Sequence, residues 1–452
     1  MNNYNIAVLG YSKNYNKFLK HIKSKQTKYK LKILIDKSKN FNFKNFSKEC
    51  LKKKIKFLAL CDKFYLPSVV KNINFYLNKK ITIVQASNNF ETDTHGYLIE
   101  KPFYDYSFED IFLRKTLNFK NLDTKLFKNK KILVTGGAGS IGGGLVLKLL
   151  KINVSKIIVL DNNEHNIFKL KNKIDFQDNE KKIEYKTLNI ENQKLINFFF
   201  QETKPDIVFH AAALKHVVFL ENNIKQGFFT NVKGTKNILD AARKNKTKYF
   251  IHISTDKAAD PKNNLGLTKL LSEFVCNDLK DKNMKIGVVR FGNVFNSYGS
   301  VAETFREKMF RAKKIQLSHP NVERYFMSLD EASNLILSTL TYISKKNNDK
   351  FCRTFICDMG TPIKIKDLAI KMLYLSGRDP KKYLSKKYYG LKNIEKISEK
   401  LISNKEKFLN KLSERVYEIE CNYKKINVNN LYKKIENLDE NKSKNILKKI
   451  LI

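Results

Sequence analysis

The chain has 452 residues, enough for two or three domains of ordinary size, each with a core of its own. Lys and Arg number 87 against 44 Asp and Glu, a net charge of +43, yet only nine of those cations are arginine and the lysines are spread over every segment. That pattern is a solvated surface with AT-rich coding, and no nucleic-acid partner is expected. Six cysteines without a CxxC pair, and seven histidines without an HExxH or other zinc spacing, exclude a disulfide framework and a metal centre.

The first ten residues lack a basic stretch followed by an apolar run and a cleavage site, so a cytoplasmic setting is expected, or a peripheral one at the inner membrane. The longest uncharged window, residues 132–147, is shorter than a membrane span and holds six glycines, so no integral membrane segment is expected. Short apolar runs at 6–9, 31–35, 57–60 and 81–84 alternate with helix-length stretches, the signature of a parallel α/β sheet. Residues 1–105 read as a small Rossmann-like domain. Only Gly10 follows its first strand, where a dinucleotide site needs several glycines, and its role is read as structural. Residues 106–127 read as a linker, 128–380 as a second and larger α/β domain, and 381–452 as a helical C-terminal part where Lys, Asn and Glu alternate with Leu and Ile.

The second domain carries the chemistry. The apolar run at 131–134 leads into TGGAGSIG at 135–142 and then a helical pattern, and six of the 17 glycines fall within 136–144. Gly136, Gly139 and Gly142 allow a tight loop, while Ser140 and Ile141 open a helix whose unpaired N–H groups and dipole favour a pyrophosphate. A second strand at 157–160 ends in Asp161, at the spacing where a carboxylate binds the adenosine ribose and opposes a 2′-phosphate. The expected cofactor is NAD.

These residues do not stand alone. FHAAALKHV at 209–217, NVKGT at 231–235, STDKA at 254–258, RFGNV at 290–294, HPNVERYFM at 319–327 and DMG at 358–360 follow in order. With them the chain resembles the extended short-chain dehydrogenase/reductase superfamily, and within it the CapD-like nucleotide-sugar 4,6-dehydratases of polysaccharide biosynthesis. The resemblance spans about residues 106–400 and implies two Rossmann-like doubly wound sheets, the second an extended short-chain dehydrogenase fold. It also implies a UDP-sugar substrate and a homo-oligomer. It places Ala211 and Ala212 beside the nicotinamide ribose and Lys269 on the ribose hydroxyls. Thr255 then orders the C4 hydroxyl, Asp256 is the acid at C6 and Lys257 the base at C5. Lys215, Asn293, Arg306, Arg324 and Lys392 are implied on the substrate side. Arginine is scarce in this chain, and Arg290, Arg306 and Arg324 all fall in motif segments, as expected where a bidentate fork is needed.

One departure matters. The superfamily places a tyrosine four residues before Lys269, and here that residue is Leu265, which has no proton to exchange. Some C5-retaining relatives carry Met there. Lys392 and Asn393 also replace an Arg-Pro pair. The expected function is a UDP-N-acetylglucosamine 4,6-dehydratase of the C5-retaining kind. The alternatives are a 4-epimerase of the same nucleotide sugar, against which Leu265 counts, and a non-catalytic NAD or nucleotide-sugar binding protein, against which the intact Thr255-Asp256-Lys257 counts.

Overall fold

In the computed structural model the described residues are 4–24, 29–36, 41–86, 107–114, 116, 122–175, 182–279, 281, 283–346, 352–376, 378–413 and 415–450. They divide into two compact units that are discontinuous in sequence. Residues 1–116, 301–322 and 363–390 make the first, and 117–300, 323–362 and 391–452 the second.

The first unit holds four parallel strands, β1 (Tyr4–Tyr11), β2 (Tyr29–Asp36), β3 (Phe57–Leu60) and β4 (Thr82–Gln85), in the order β2-β1-β3-β4. Ile6, Val8, Leu58 and Ile83 are fully or almost fully buried, as the apolar runs require of a sheet covered on both faces. The segment read as a linker opens a short helix, Phe108–Phe112, through a capping box between Ser107 and Asp110. Helix Ile365–Leu375 belongs to this unit too. It buries Leu368, Met372 and Leu375, its Tyr374 hydroxyl donates to the Ile81 carbonyl, and its Lys371 Nζ donates to the Ile111 carbonyl at 3.0 Å. Sequence order groups residues 301–322 and 363–380 with the nucleotide-binding domain. Packing groups them with the first 116 residues, because an amphipathic helix goes where its apolar stripe is covered.

The second unit is built on one nine-stranded sheet. Seven strands are parallel: β5 (Lys131–Thr135), β6 (Lys156–Asp161), β7 (Ile183–Thr187), β8 (Ile207–His210), β9 (Tyr249–Ile253), β10 (Lys285–Arg290) and β11 (Cys352–Cys357). The hairpin of β12 (Lys407–Lys411) and β13 (Val416–Glu420) adds two antiparallel strands at one edge. The order β12-β13-β11-β10-β9-β8-β5-β6-β7 is doubly wound, with its switch point between β5 and β8.

Side chains alternate across this sheet as a two-residue period demands. Ile132 and Val134 enter a core with Leu145, Leu149, Leu335 and Leu340, while Leu133 enters the opposite one with Phe200, Phe228, Leu271 and Phe274. Helices Ser140–Leu149 and Leu329–Lys345 supply the first face. On the second lie Gln193–Thr203, Thr235–Lys244 and Asn264–Asp278, joined by the C-terminal helices Val428–Ile435 and Glu440–Lys449 through Ile435 and Leu447. Each fully buried Leu or Phe contributes roughly 1.5–3 kcal/mol, so both faces hold the strand ends rigid where the site lies. The C-terminal part is thus helical beyond residue 427, with a hairpin at 407–420. Among the described residues no helix is long and apolar enough to cross a membrane.

Candidate active site

The glycine loop lies at the carboxyl end of β5, beside the switch point. Gly136 takes φ of +62°, and a Cβ there would stand 2.6 Å from the Ala212 backbone nitrogen, so the loop packs directly on Ala211 and Ala212 after β8. A Cβ on Gly142 would overlap the Gly136 carbonyl. Gly139 is the N-cap of helix Ser140–Leu149, which leaves the N–H groups of Ser140, Ile141 and Gly142 without partners four residues back. Asp161, the last residue of β6, turns its carboxylate to this loop. Its Oδ2 accepts from Ala138 N and its Oδ1 from Asn163 N, both at 3.0 Å, and each oxygen keeps a further lone pair. A crowded glycine turn, a helix start and a carboxylate at its rim fit a dinucleotide.

Two neighbouring segments are fixed by side-chain hydrogen bonds, the second of them to this loop. Leu214 N donates to Asn231 Oδ1 at 2.8 Å, and Asn231 Nδ2 donates to the Leu214 carbonyl and to Thr268 Oγ1, both at 3.0 Å. Asn231 is fully buried in a π-helical stretch, Phe228–Gly234, a geometry frequent at functional sites. Tyr298 N donates to Ser140 Oγ at 2.8 Å, and Lys215 Nζ donates to the Tyr298 carbonyl at 2.7 Å. Lys215 therefore joins the segment after β10 to the loop after β8.

At the end of β9 the chain makes a single 3₁₀ turn, Asp256–Ala258, capped by Thr255. Asp256 is 2% exposed. Thr255 Oγ1 and Lys257 Nζ both donate to Asp256 Oδ1 at 2.9 Å, while Oδ2 is buried with no hydrogen-bond partner among the described residues. Lys257 Nζ also donates to Asn293 Oδ1 at 3.4 Å. Asn293 is placed by the two-residue strand Asn293–Val294, which pairs with Phe326–Met327 and bonds the Tyr325 carbonyl at 3.0 Å. Thr255, Asp256, Lys257 and Asn293 thus come together from two strand ends.

Helix Asn264–Asp278, capped by the Asn263 side chain, sets Leu265, Lys269 and Glu273 one turn apart on a buried face. Leu265 is 6% exposed. Lys269 Nζ donates to the Ile253 carbonyl at 2.6 Å and lies 3.3 Å from His252 Nε2. Burial, opposed by Glu273 and Cys276, lowers its pKa to about 8. Burial, reinforced by the Lys269 charge, lowers His210 to about 3 and His252 well below the usual histidine range. Both imidazoles are therefore neutral, their rings stacked 5.4 Å apart.

Beneath this pair runs an ionic network. Arg290 grips Glu273 with two prongs, Nε to Oε1 at 2.8 Å and Nη2 to Oε2 at 2.6 Å, and its Nη1 reaches Glu406 Oε1 at 2.7 Å. Ser254 and Tyr423 also donate to Glu273. The arginine scarcity in the sequence signals Arg290, whose fork engages this carboxylate. Nothing local identifies Glu406 or Tyr423 as its neighbours.

The remaining expected residues are spread more widely. Arg324 Nη1 donates to the Glu323 and Ile397 carbonyls at 2.7 and 3.0 Å, and Lys392 is exposed. Arg306 is on helix Val301–Phe310 of the first unit, half-buried. Lys396, close along the chain to Lys392, ion-pairs at 2.8 Å with Asp260, whose carboxyl it holds below the usual range through that hydrogen bond. His252 and Glu273 are the site residues that motif reading passes over, while Asn231 opens the NVKGT motif without its clasp on Leu214 being readable there. Glu273 has a faint signal, a charge four residues after Lys269 on a helix otherwise apolar there. Among the described residues no cluster of three or more His, Cys, Asp or Glu side chains suits a metal ion.

A family model described as polysaccharide biosynthesis protein matches residues 132–421. The chain is 34% identical to the capsular polysaccharide biosynthesis protein CapD of Staphylococcus aureus over 64% of this chain and 48% of that one, so it spans about half the length of that relative. It is 30% identical to a UDP-N-acetylglucosamine 4,6-dehydratase (inverting) of Campylobacter jejuni, over 68% of this chain and 87% of that one. The X-ray structure of Pen from Bacillus thuringiensis superposes with a TM-score of 0.57 at 27% identity, over 69% of this chain and 98% of that one.

Proposed function

The chain belongs to the polysaccharide biosynthesis protein family, and from that membership we propose that it is an NAD-dependent nucleotide-sugar 4,6-dehydratase. Its substrate is UDP-N-acetylglucosamine, and configuration at C5 is retained. The observation that carries this reading is the Asp256 carboxylate, buried at the end of β9, with one oxygen tied to Thr255 and Lys257 and the other unpartnered.

Gly136, Gly139, Ser140, Ile141 and Gly142 hold the cofactor pyrophosphate, Asp161 takes the adenosine ribose, and Ala211, Ala212 and Lys269 line the nicotinamide ribose. Bound NAD would supply a reversible hydride acceptor, receiving the C4 hydride while the C4 hydroxyl loses its proton by way of Thr255, and giving the hydride back at C6 while Lys257 returns a proton to C5. The ketone at C4 acidifies the C5 proton, and elimination then needs an uncharged base and a protonated acid side by side. Moving one proton from Lys257 Nζ to Asp256 across their 2.9 Å contact produces both at once, with no change of net charge. Lys257 removes the C5 proton and Asp256 protonates the departing C6 hydroxyl. Asn293 steadies the Lys257 ammonium, and Thr255 orders the C4 hydroxyl. Lys215, Arg324 and Lys392 serve the nucleotide diphosphate. A 4-epimerase takes the same proton and hydride from C4 but has no elimination step, which would leave the Asp256–Lys257 acid–base pair without a task.

The test is incubation of the purified protein with UDP-N-acetylglucosamine, followed by mass and proton NMR analysis. A product lighter by one water, with a C6 methyl and a C4 ketone, is expected. Recovery of the C4 epimer, or of unchanged substrate at every cofactor loading, overturns the reading.

A further inference from the structure

The contacts of Lys269 contain a hydrogen-bond conflict that settles where protons sit. Ser272 Oγ uses its only hydrogen on the Lys269 carbonyl, at 2.6 Å. His252 Nε2 lies 2.9 Å from that same Ser272 oxygen and 3.3 Å from Lys269 Nζ. A hydroxyl already donating elsewhere can only accept, so Nε2 carries the ring proton. A neutral imidazole has one N–H, which leaves Nδ1 bare, and Nδ1 is the His252 atom that is buried with no partner among the described residues. A bare buried lone pair is better tolerated than an orphaned buried N–H, so both observations select one tautomer.

That tautomer bears on the lysine. An ammonium has three hydrogens and no lone pair, so Nε2–H and a charged Nζ face each other as two donors. An uncharged amine can turn its lone pair towards Nε2–H, whose one hydrogen is then shared between Ser272 Oγ at 2.9 Å and Nζ at 3.3 Å, and it still donates to the Ile253 carbonyl. We propose that His252, fixed as its Nε2–H tautomer by Ser272, is a positioning residue that favours the uncharged amine of Lys269. Lys269 thereby becomes a buried proton acceptor on the helix face where Leu265 supplies no phenol. The tautomer stands on these contacts together with the neutrality that burial imposes on the His252 ring, and the use of the amine as an acceptor rests on the dehydratase reading.

The surrounding charges leave room for this. From its own helix Lys269 meets Glu273 and Cys276, which act to keep it charged, but the Glu273 oxygens are engaged by Arg290, Ser254 and Tyr423. From β8 it meets His210, neutral between Thr135 Oγ1 at 2.7 Å and Thr235 Oγ1 at 2.9 Å. Burial already brings Lys269 down to about 8, and the His252 donor pulls the same way.

Two measurements on the full chain test the proposal without cofactor or sugar, so their failure is separate from failure of the dehydratase assay. Long-range proton–nitrogen NMR of histidine-labelled protein, with His252→Gln for assignment, should show His252 as the neutral Nε2–H form. The Nδ1–H form or an imidazolium overturns it. Nitrogen NMR of lysine-labelled protein, with Lys269→Met for assignment, should show Lys269 titrating about one pH unit higher in His252→Leu than in the native chain, the shift expected of one lost hydrogen bond. An unchanged titration overturns it, and if His252→Leu does not fold, the tautomer of the native chain decides.

Discussion

Asp256 and Lys257 are chain neighbours whose side chains meet each other: Lys257 Nζ lies 2.9 Å from Asp256 Oδ1, while Asp256 Oδ2 is buried without a partner among the described residues. Adjacent residues on a regular strand point to opposite faces. These two share a side because the 3₁₀ turn begins at Asp256. Removing a positioned acid or base costs about 10²–10⁴ in rate. Asp256→Asn and Lys257→Ala should each lose that much turnover of UDP-N-acetylglucosamine while retaining NAD. Full turnover in both variants would assign the elimination to other groups.

The cofactor loop gives a second expectation. NAD released by denaturing the purified protein should be recovered, and Gly142→Ala should abolish that recovery, because the added methyl meets the Gly136 carbonyl. Asp161→Ala should relax the preference for NAD over NADP, read as the ratio of dissociation constants, since the carboxylate at the loop rim is what opposes a 2′-phosphate.

Leu265 is buried at 6% exposure, and a volume-conserving change there costs less than about 1.5 kcal/mol. Leu265→Met should keep both fold and activity near native. Leu265→Tyr places a phenol one turn before Lys269, and a gain in C4 oxidation rate, followed as transient NADH absorbance, is the expected outcome.

Glu273 and Arg290 are both almost completely buried, and each satisfies the other. Burial alone pulls the guanidinium down, but the charge and hydrogen bonds of Glu273 outweigh it and hold Arg290 well above its ordinary value. Breaking a buried pair from one side costs about 3–5 kcal/mol because a charge is left uncompensated. Arg290→Met should therefore lower the urea midpoint markedly. Arg290→Met with Glu273→Leu should recover part of the loss, and a double variant no more stable than the single would contradict this account.

Stability should depend on pH in two separate windows. His210 titrates near 3 in the folded chain against an ordinary 6.5, so between those values the unfolded chain binds the extra proton and stability falls as pH drops from 6.5 towards 3. The lowered His252 acts in the same direction. Lys269 titrates near 8 against an ordinary 10.5, and its contribution rises as pH climbs between those values. Urea unfolding across pH checks both, and His210→Gln should flatten the acid limb.

What the sequence determined by itself is whatever depends on residues close along the chain. The β5 strand, the loop at 136–139, the helix from Ser140 and Asp161 follow within about thirty residues, and glycine sterics with helix-end polarity need no distant partner to be read. The alternation that divides Ile132 and Val134 from Leu133 is equally local. Only the tertiary structure decided which distant groups share a buried space. Asn231 clasps Leu214, Arg290 joins Glu273 to Glu406, and His252 faces Lys269 from another element. None of these pairs has a spacing to be read, because strand order and helix docking create them. The same holds for helix Ile365–Leu375, whose apolar stripe is plain in the sequence but whose partners are set by where a complementary surface is left uncovered, here beside Ile81 and Ile111.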